Sequence, residues 1–442
     1  MIRLHNTLTN TVEEFKPLSP DKVGMYHCGP TVYDYVHVGN LRSYLFADTL
    51  RRTFEYAGFE VKQVMNITDL GHLTGDGDQG EDKMTKALVR ENRPITIEAM
   101  AELAGFYTER FKEDLNKLNI LSPQVLPKAS EHLTEQIELI KKLEEKGFTY
   151  TTTDGIYFDT SRDPHYGKLG IAGGDESRIG PNPEKKNQKD FALWKFNESL
   201  GFTSPWGQGF PGWHIECSAM STKYLGETFD IHTGGIDLAP IHHNNEIAQS
   251  ENASEKPLAN YWLHNEFINL SQAKMAKSEG NVVRLQGIVD RDFSPLSYRY
   301  FILLSHYRSK ANFTWEALQS AENAYRKIKE FVSSIPNIGD INLKYKTQFV
   351  EAIENDLNTP EALAILWNLI KDSSVSPEDK KATLLDFDKV LGLNIDTNEF
   401  AITEIPAEVE ELMKKREQAR GEKDFIRSDE LREEIKKKGF DV

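Results

Sequence analysis

Apolar and polar positions alternate in short, distinct patterns along the first part of the chain. Val23-Gly24-Met25-Tyr26-His27 reads as a short strand, followed by a turn through Cys28-Gly29-Pro30. Leu41, Leu45, Leu50 and Phe54 recur near helical spacing, which predicts a helix from about Leu41 to Tyr56, ended by Gly58. Glu60 to Ile67 reads as the next strand. Strands alternating with helices imply a parallel sheet and so a doubly wound α/β domain. Residues 76–145 read as mostly helical and highly charged, and Thr149 to Lys189 as an irregular insertion with a few strands, rich in Gly, Pro and Asp. The α/β pattern resumes near Trp206: Phe229-Asp230-Ile231-His232 looks like a strand end, and His242 to Ser250 like a helix. Beyond Leu296 the pattern is almost wholly helical, with linkers at Pro336–Leu343 and Glu404–Pro406. Residues 407–442 interleave Lys and Arg with Glu and Asp, as solvated helices do.

A chain of 442 residues, 39% of them hydrophobic, is too long for one core and suggests about two to four domains. No apolar run is long enough to cross a bilayer, and MIRLHNTLTN lacks the basic start and apolar core of a secretory signal. The expected location is therefore the cytoplasm. The net charge of −16 argues against an indiscriminate polyanion binder, though a local basic patch can still meet phosphate. The two cysteines, Cys28 and Cys217, are too few for a disulfide framework. They are either buried thiols acting as small hydrophobes or parts of a metal site assembled by folding.

Three segments bear candidate chemistry. His37-Val38-Gly39-Asn40 lies between the first strand and the first helix, where a helix N-terminus offers unpaired N–H groups to phosphate. Gly39 would admit a purine closely, and His37 and Asn40 would donate to phosphate oxygens. An ordinary βα turn with Asn near a helix start has the same look. Lys274-Met275-Ala276-Lys277-Ser278, followed by Gly280, places two lysines on a loop that can swing onto a developing pyrophosphate, or is simply an exposed lysine loop. His242 and Glu246 share one helical face, and with Cys28 and Cys217 they make a plausible zinc shell. His243, beside His242, is an open alternative, and spacing does not decide between them.

Taken together, these segments resemble class I cysteinyl-tRNA synthetases. Cys28-Gly29-Pro30-Thr31-Val32-Tyr33-Asp34, His37 to Asn40 and Asn66-Ile67-Thr68-Asp69 are similar to the first half of that family's catalytic domain. Pro211 to Met220, Phe229-Asp230-Ile231-His232, Gly234 to Leu238 and His242-His243-Asn244-Asn245-Glu246 are similar to its second half, and Asn355 to Pro360 to its helical domain. The sequence departs from the pattern in Asn40, where class I enzymes usually have a second histidine, in Ala276 for serine, and in Ala239-Pro240-Ile241. It also stops at Val442, slightly early, which would alter some anticodon contact.

The resemblance implies a Rossmann-like parallel-sheet catalytic domain in two halves, 1–115 and 199–270, split by a connective insertion at 116–198. A lysine-loop and stem-contact region at 271–335 and a C-terminal α-helical tRNA-binding region at 336–442 follow. It implies a monomeric ligase that activates L-cysteine with ATP and passes it to tRNA(Cys). One Zn²⁺ per chain would be held by Cys28, Cys217, His242 and Glu246, and Mg²⁺ would accompany ATP. His37, Asn40, Lys274 and Lys277 would be catalytic; Gly39, Gly235 and Asp237 would join His37, Asn40 and Lys277 around ATP. Thr68, Trp213 and His232 would surround the amino acid. Two rivals share these features: a ligase of the same fold joining cysteine to an amino sugar, and a non-catalytic paralogue that binds RNA or a partner.

Overall fold

The computed structural model describes the chain apart from residues 72–82, 171–182, 271–282 and 397–406 and scattered positions from 422 onward. Lys274 and Lys277 fall outside the described residues, as does the Glu404–Pro406 linker.

An N-terminal hairpin, β1 (Arg3–Asn6) and β2 (Thr11–Glu14), precedes β3 (Lys22–His27), α1 (Val38–Tyr56) and β4 (Glu60–Met65). The helix α1 starts one turn earlier than its apolar spacing suggests, because His37 caps it. It ends where Gly58 takes a positive φ of 96°. Three helices follow: α2 (Lys83–Arg90), α3 (Ile97–Lys117) and α4 (Leu133–Glu145). Between α3 and α4 the expected helix gives way to extended chain. Met65 N–H donates to Val125 O and Ile67 N–H to Pro127 O, so this segment extends the sheet beyond β4. Pro123 and Pro127 explain the difference, since proline removes donors and disfavours helix in the residue before it.

The insertion's strands, β5 (Thr149–Thr152), β6 (Gly155–Phe158), β7 (Phe191–Phe196), β8 (Phe202–Ser204) and β9 (Gly207–Pro211), form an antiparallel sheet in the order β5-β6-β7-β9-β8. That sheet continues past residue 198 to Pro211. Then come α5 (Trp213–Leu225), β10 (Phe229–Gly235), α6 (Asn244–Ser254) and β11 (Ala259–Asn265). The main sheet is parallel with the order β11-β10-β3-β4. From β3 the chain proceeds to one side and from β10 to the other. The boundary between β3 and β10 is thus a topological switch point, where open α/β sheets bind ligands beyond their strand ends.

Strand parity decides what faces that point. Val23 and Met25 pack with Phe46, Leu50 and Phe54 of α1 on one side of the sheet. Tyr26 and Cys28 pack with Cys217 and Met220 of α5 on the other. His232 is opposite Tyr26 in the β10–β3 register, so it shares the Cys28 side.

Beyond the sheet lie β12 (Ile268–Leu270), α7 (Leu285–Val289), α8 (Pro295–Leu303), β13 (Ala311–Phe313), paired in parallel with β12, and α9 (Trp315–Ser333). The helices α10 (Leu343–Glu354), α11 (Thr359–Lys371) and α12 (Pro377–Leu391) complete the first compact unit, Met1–Ile395, with the expected linker between α9 and α10. A buried ion network fastens α12 to the sheet's helix layer: Arg299 contacts Asp48 of α1 at 2.5 Å and donates to Leu391 O at 2.6 Å. The second unit, Asp396–Val442, contains α13 (Ala407–Gly421).

Candidate active site

Cys28 leaves β3 at the switch point. Its turn is fixed from behind: Gly29 N–H donates to Asn66 Oδ1 at 2.8 Å, and any Cβ on Gly29 would run into the Asn66 carbonyl. Cys217 comes from the buried face of α5, one turn after Trp213. His242 and Glu246 come from the entry to α6. The expected helix from His242 begins instead at Asn244, because Ala239–His243 form a wider π-type turn containing Pro240. The i,i+4 pair still meets, with His242 Nε2 3.1 Å from Glu246 Oε1.

The structure brings Cys28, Cys217, His242 and Glu246 together, all buried, with one ligand atom from each within 4.8 Å of all the others. Cys28 Sγ lies 3.7 Å from Glu246 Oε1. Zinc–donor bonds of about 2.0–2.3 Å in a tetrahedron require donor–donor edges of about 3.3–3.8 Å, close to the 3.1 Å of the His242–Glu246 edge and the 3.7 Å of the Cys28–Glu246 edge. Two sulfurs, a ring nitrogen and a carboxylate oxygen are also a donor set suited to zinc. A second set, Cys28, His232, His243 and Glu246, meets the same distance limit and shares two of the four residues. His243 Nε2 is 3.3 Å from Cys28 Sγ and 4.0 Å from Glu246 Oε1.

Outer contacts orient each donor. His214 Nδ1 and His242 Nδ1 are 2.7 Å apart, which turns the His242 Nε2 toward Glu246. His243 Nδ1 lies 2.7 Å from His264 Nε2, whose Nδ1 is 2.8 Å from Thr7 Oγ1. His232 Nε2 lies 2.9 Å from Glu246 Oε2, and its ring stacks on Trp262 at 4.3 Å. Trp213 covers His242 at 4.4 Å between ring centres.

The electrostatics of the cluster are strongly coupled. Burial pushes the Cys28 thiol well up, and its hydrogen bond with Cys217 adds to this. The same hydrogen bond brings Cys217 down against the effect of burial. Burial would lower His242, but Glu246 and then Cys217 push it up to about 10. Burial would raise Glu246, but His232 and His242 bring it down to about 2. A buried carboxylate is thus held ionised beside two thiols, balanced by a proton on His242 that a metal ligated there would displace.

The expected amino-acid contacts line the same region. Thr68 is buried and donates to Glu216 Oε2 at 2.8 Å, while Asn66 Nδ2 donates to Thr68 Oγ1 at 3.1 Å. His232 is engaged with Glu246 as described. Gly235 ends β10, and the Asp237 carboxylate folds back onto the place a Cβ on Gly235 would take. Sequence reading gave no separate role to His214, Glu216, His264 or Asn66. The first two lie within the stretch Pro211 to Met220, whereas His264 is a lone histidine on β11 with no pattern around it.

At the N-terminus of α1, His37 and Asn40 form a reciprocal cap. Asn40 N–H donates to His37 Nδ1 at 3.3 Å, and His37 N–H donates to Asn40 Oδ1 at 3.2 Å. The Asn40 oxygen is therefore occupied, which leaves its amide NH₂ as the group able to donate. Because Nδ1 accepts, the neutral ring carries its proton on Nε2, ready to donate. Burial keeps the ring below the ordinary histidine range. A Cβ on Gly39 would come within 2.8 Å of the His37 ring, so glycine here seats the imidazole.

Residues 14–323 match the family model for the class I (C) tRNA synthetase catalytic domain. Residues 348–395 match the DALR domain, and 403–442 the cysteinyl-tRNA ligase anticodon binding domain. The chain is 45% identical to cysteine–tRNA ligase 1 of Burkholderia lata, over 100% of this chain and 94% of that one. It is 42% identical to cysteine–tRNA ligase of Treponema denticola, over 99% and 97%. Among solved structures, methionyl-tRNA synthetase of Mycobacterium tuberculosis with methionyl-adenylate is similar in fold, with a TM-score of 0.56 at 15% identity over 84% of this chain and 90% of that one.

Proposed function

The chain belongs to the cysteinyl-tRNA synthetase family of class I enzymes, and from that premise we propose that Cys28, Cys217, His242 and Glu246 hold the zinc ion by which it chooses its substrate. It is a cysteine–tRNA ligase that uses ATP. The observation that carries the zinc reading is the convergence of four buried donors from three separate elements at the switch point of the sheet. Zinc bound there would favour a substrate thiolate over a neutral hydroxyl and lower the pKa of the thiol.

In the first step the cysteine carboxylate attacks the α-phosphorus of ATP. A carboxylate–phosphorus bond forms, the bond to the β-phosphate bridging oxygen breaks, and pyrophosphate leaves. The carboxylate is already ionised, so the protein needs no general base. Its work is positioning and charge stabilisation. His37 Nε2–H, the Asn40 amide and the N-terminus of α1 hold the phosphates from one side, Lys274 and Lys277 from the other, with Mg²⁺ accompanying the nucleotide. Gly235 and Asp237 face the ribose or the substrate amine, and Thr68, Trp213 and His232 enclose the amino acid. In the second step a terminal ribose hydroxyl of tRNA(Cys) attacks the acyl carbon and AMP leaves. We take the enzyme to act as a cytoplasmic monomer; among the described residues no helix is long and apolar enough to cross a membrane.

The test is cysteine-dependent ATP–pyrophosphate exchange on zinc-loaded protein, followed by attachment of cysteine to tRNA. The reading fails if exchange is absent, or if cysteine is joined to an amino sugar and not to tRNA.

A sharper check concerns His37. His37→Asn keeps a competent helix cap but removes the ring donor. The kcat of exchange should fall about 10²-fold, since one lost charge-stabilising donor costs that much. Zinc content should stay unchanged. In the wild type, burial keeps His37 neutral, so any acid limb due to it should lie below the ordinary value of about 6.5. Protonating Nδ1 there would break the cap from Asn40. An unchanged kcat in His37→Asn would remove His37 from the phosphate site.

A further inference from the structure

A buried row of hydrogen bonds joins the residue after Cys28 to the residue before Cys217. Gly29 N–H donates to Asn66 Oδ1 at 2.8 Å. Asn66 Nδ2 donates to Thr68 Oγ1 at 3.1 Å, and Thr68 Oγ1 donates to Glu216 Oε2 at 2.8 Å. Asn66 and Thr68 are 1% exposed, and Glu216 is fully buried. The main chain seats the middle of the row: Thr68 N–H donates to Pro30 O at 3.0 Å, and Val32 N–H donates to Thr68 O at 3.1 Å. Every side-chain link runs the same way, from the Gly29 amide to the Glu216 carboxyl. Hydrogen bonds in series polarise one another, so the row is stronger than its links taken singly. Thr68 has one hydroxyl hydrogen, and it goes to Glu216. Its neighbour on the other side must therefore be a donor, which asparagine is and aspartate is not.

The four proposed zinc ligands differ in what sets their spacing. His242 and Glu246 are four residues apart on one turn of chain, and that turn fixes their separation. Cys28 follows β3 and Cys217 lies on α5, so their separation depends on how a strand and a helix pack. The packing there is apolar, with Tyr26, Met220 and Phe229 around the two sulfurs, and hydrophobic contact is non-directional. A metal site, by contrast, needs its donor distances within about 0.2 Å. Directional bonds between the residues flanking the two cysteines supply the precision that apolar packing lacks.

We propose that Asn66 and Glu216 are positioning residues for the zinc site: through Thr68 they tie the end of β3 to α5 and hold the two sulfurs at ligand spacing, given the reading of Cys28 and Cys217 as zinc ligands. Neither side chain has to touch the metal or the substrate to do this. Cutting the row loosens one edge of the donor set and leaves all four donors in place.

The test is the zinc affinity of the full-length protein, measured by competition with a chromophoric chelator in the absence of cysteine and ATP. Glu216→Met removes the last acceptor. Asn66→Asp keeps the acceptor for Gly29 but breaks the middle link. Each should weaken zinc binding by about 10- to 100-fold, the usual cost of losing an outer partner of a metal site. Glu216→Gln keeps a carbonyl oxygen for Thr68 and should stay within about threefold of the wild type. The double variant of Asn66→Asp and Glu216→Met should bind about as weakly as the worse single one, because both cut the same row. In cobalt-loaded protein, the sulfur-to-cobalt charge-transfer and d–d bands report donor geometry; they should shift in Glu216→Met and not in Glu216→Gln. If Asn66→Asp does not fold, the two Glu216 variants carry the test. Wild-type affinity in Glu216→Met, equal losses in Glu216→Met and Glu216→Gln, or multiplied losses in the double variant would overturn this inference alone. A wild-type protein that binds no zinc, or a Cys217→Ser variant that keeps it, would bring down the ligand reading beneath it.

Discussion

Cys217→Ser should empty the site of zinc and lower kcat/KM for cysteine in ATP–pyrophosphate exchange by about 10³-fold or more, approaching the cost of losing a polar contact around which a site is built. Cys217 is 1% exposed on the inward face of α5, with its sulfur hydrogen-bonded to Cys28. Serine keeps the shape but offers a neutral hydroxyl in place of a thiolate, leaving one sulfur in a four-donor set. The fold should survive, since a hydroxyl at the same place can still hydrogen-bond to its neighbours. Metal analysis and exchange kinetics on one preparation decide the matter. Full zinc content with undiminished cysteine affinity would reject Cys217 as a ligand. The donors would then be Cys28, His232, His243 and Glu246, and His243→Ala would strip the metal while His242→Ala would not.

The parts of this site that were readable in the sequence are those whose chemistry is local. Cys28 follows a strand of clear apolar pattern, so its place at a strand end could be inferred, and strand parity then fixes which face it takes. His242 and Glu246 are a helical i,i+4 pair; the π-type turn that precedes them was not readable, yet the spacing carried through it. The chain between α3 and α4 was misread as helix because its neighbours are strongly helical and charged. There Pro123 and Pro127 outweigh the surrounding propensity. His232 was expected to meet the substrate, and in the structure it also clamps Glu246, a contact set by tertiary packing of β10 against α6. Arg42 of α1 left no signal: its guanidinium donates to the main-chain carbonyls of Phe267, His306 and Tyr307, and every residue has such a carbonyl.

Serine should support exchange with a kcat/KM at least about 10⁴-fold below that of cysteine, without a hydrolytic step to remove mistakes. Shape cannot give such a ratio, because the two side chains are nearly isosteric and an apolar pocket rejects an added hydroxyl by only about 10²-fold. Two of the surrounding polar groups are already committed. Glu246 Oε2 is engaged by His232, and Thr68 Oγ1 already donates to Glu216 while accepting from Asn66. A serine hydroxyl would leave water for a site where these two acceptors are committed, and an unmade hydrogen bond there costs about 1–3 kcal/mol. Zinc held by the sulfur-rich cluster would add the rest by binding thiolate and not alcohol. Parallel exchange assays with cysteine and with cysteine-free serine measure the ratio directly. In Cys217→Ser the ratio should collapse toward the shape-only limit of about 10² or below, through loss of cysteine activity and not gain of serine activity. A wild-type ratio already that low would mean that the buried cluster does not select the substrate, whatever metal it holds.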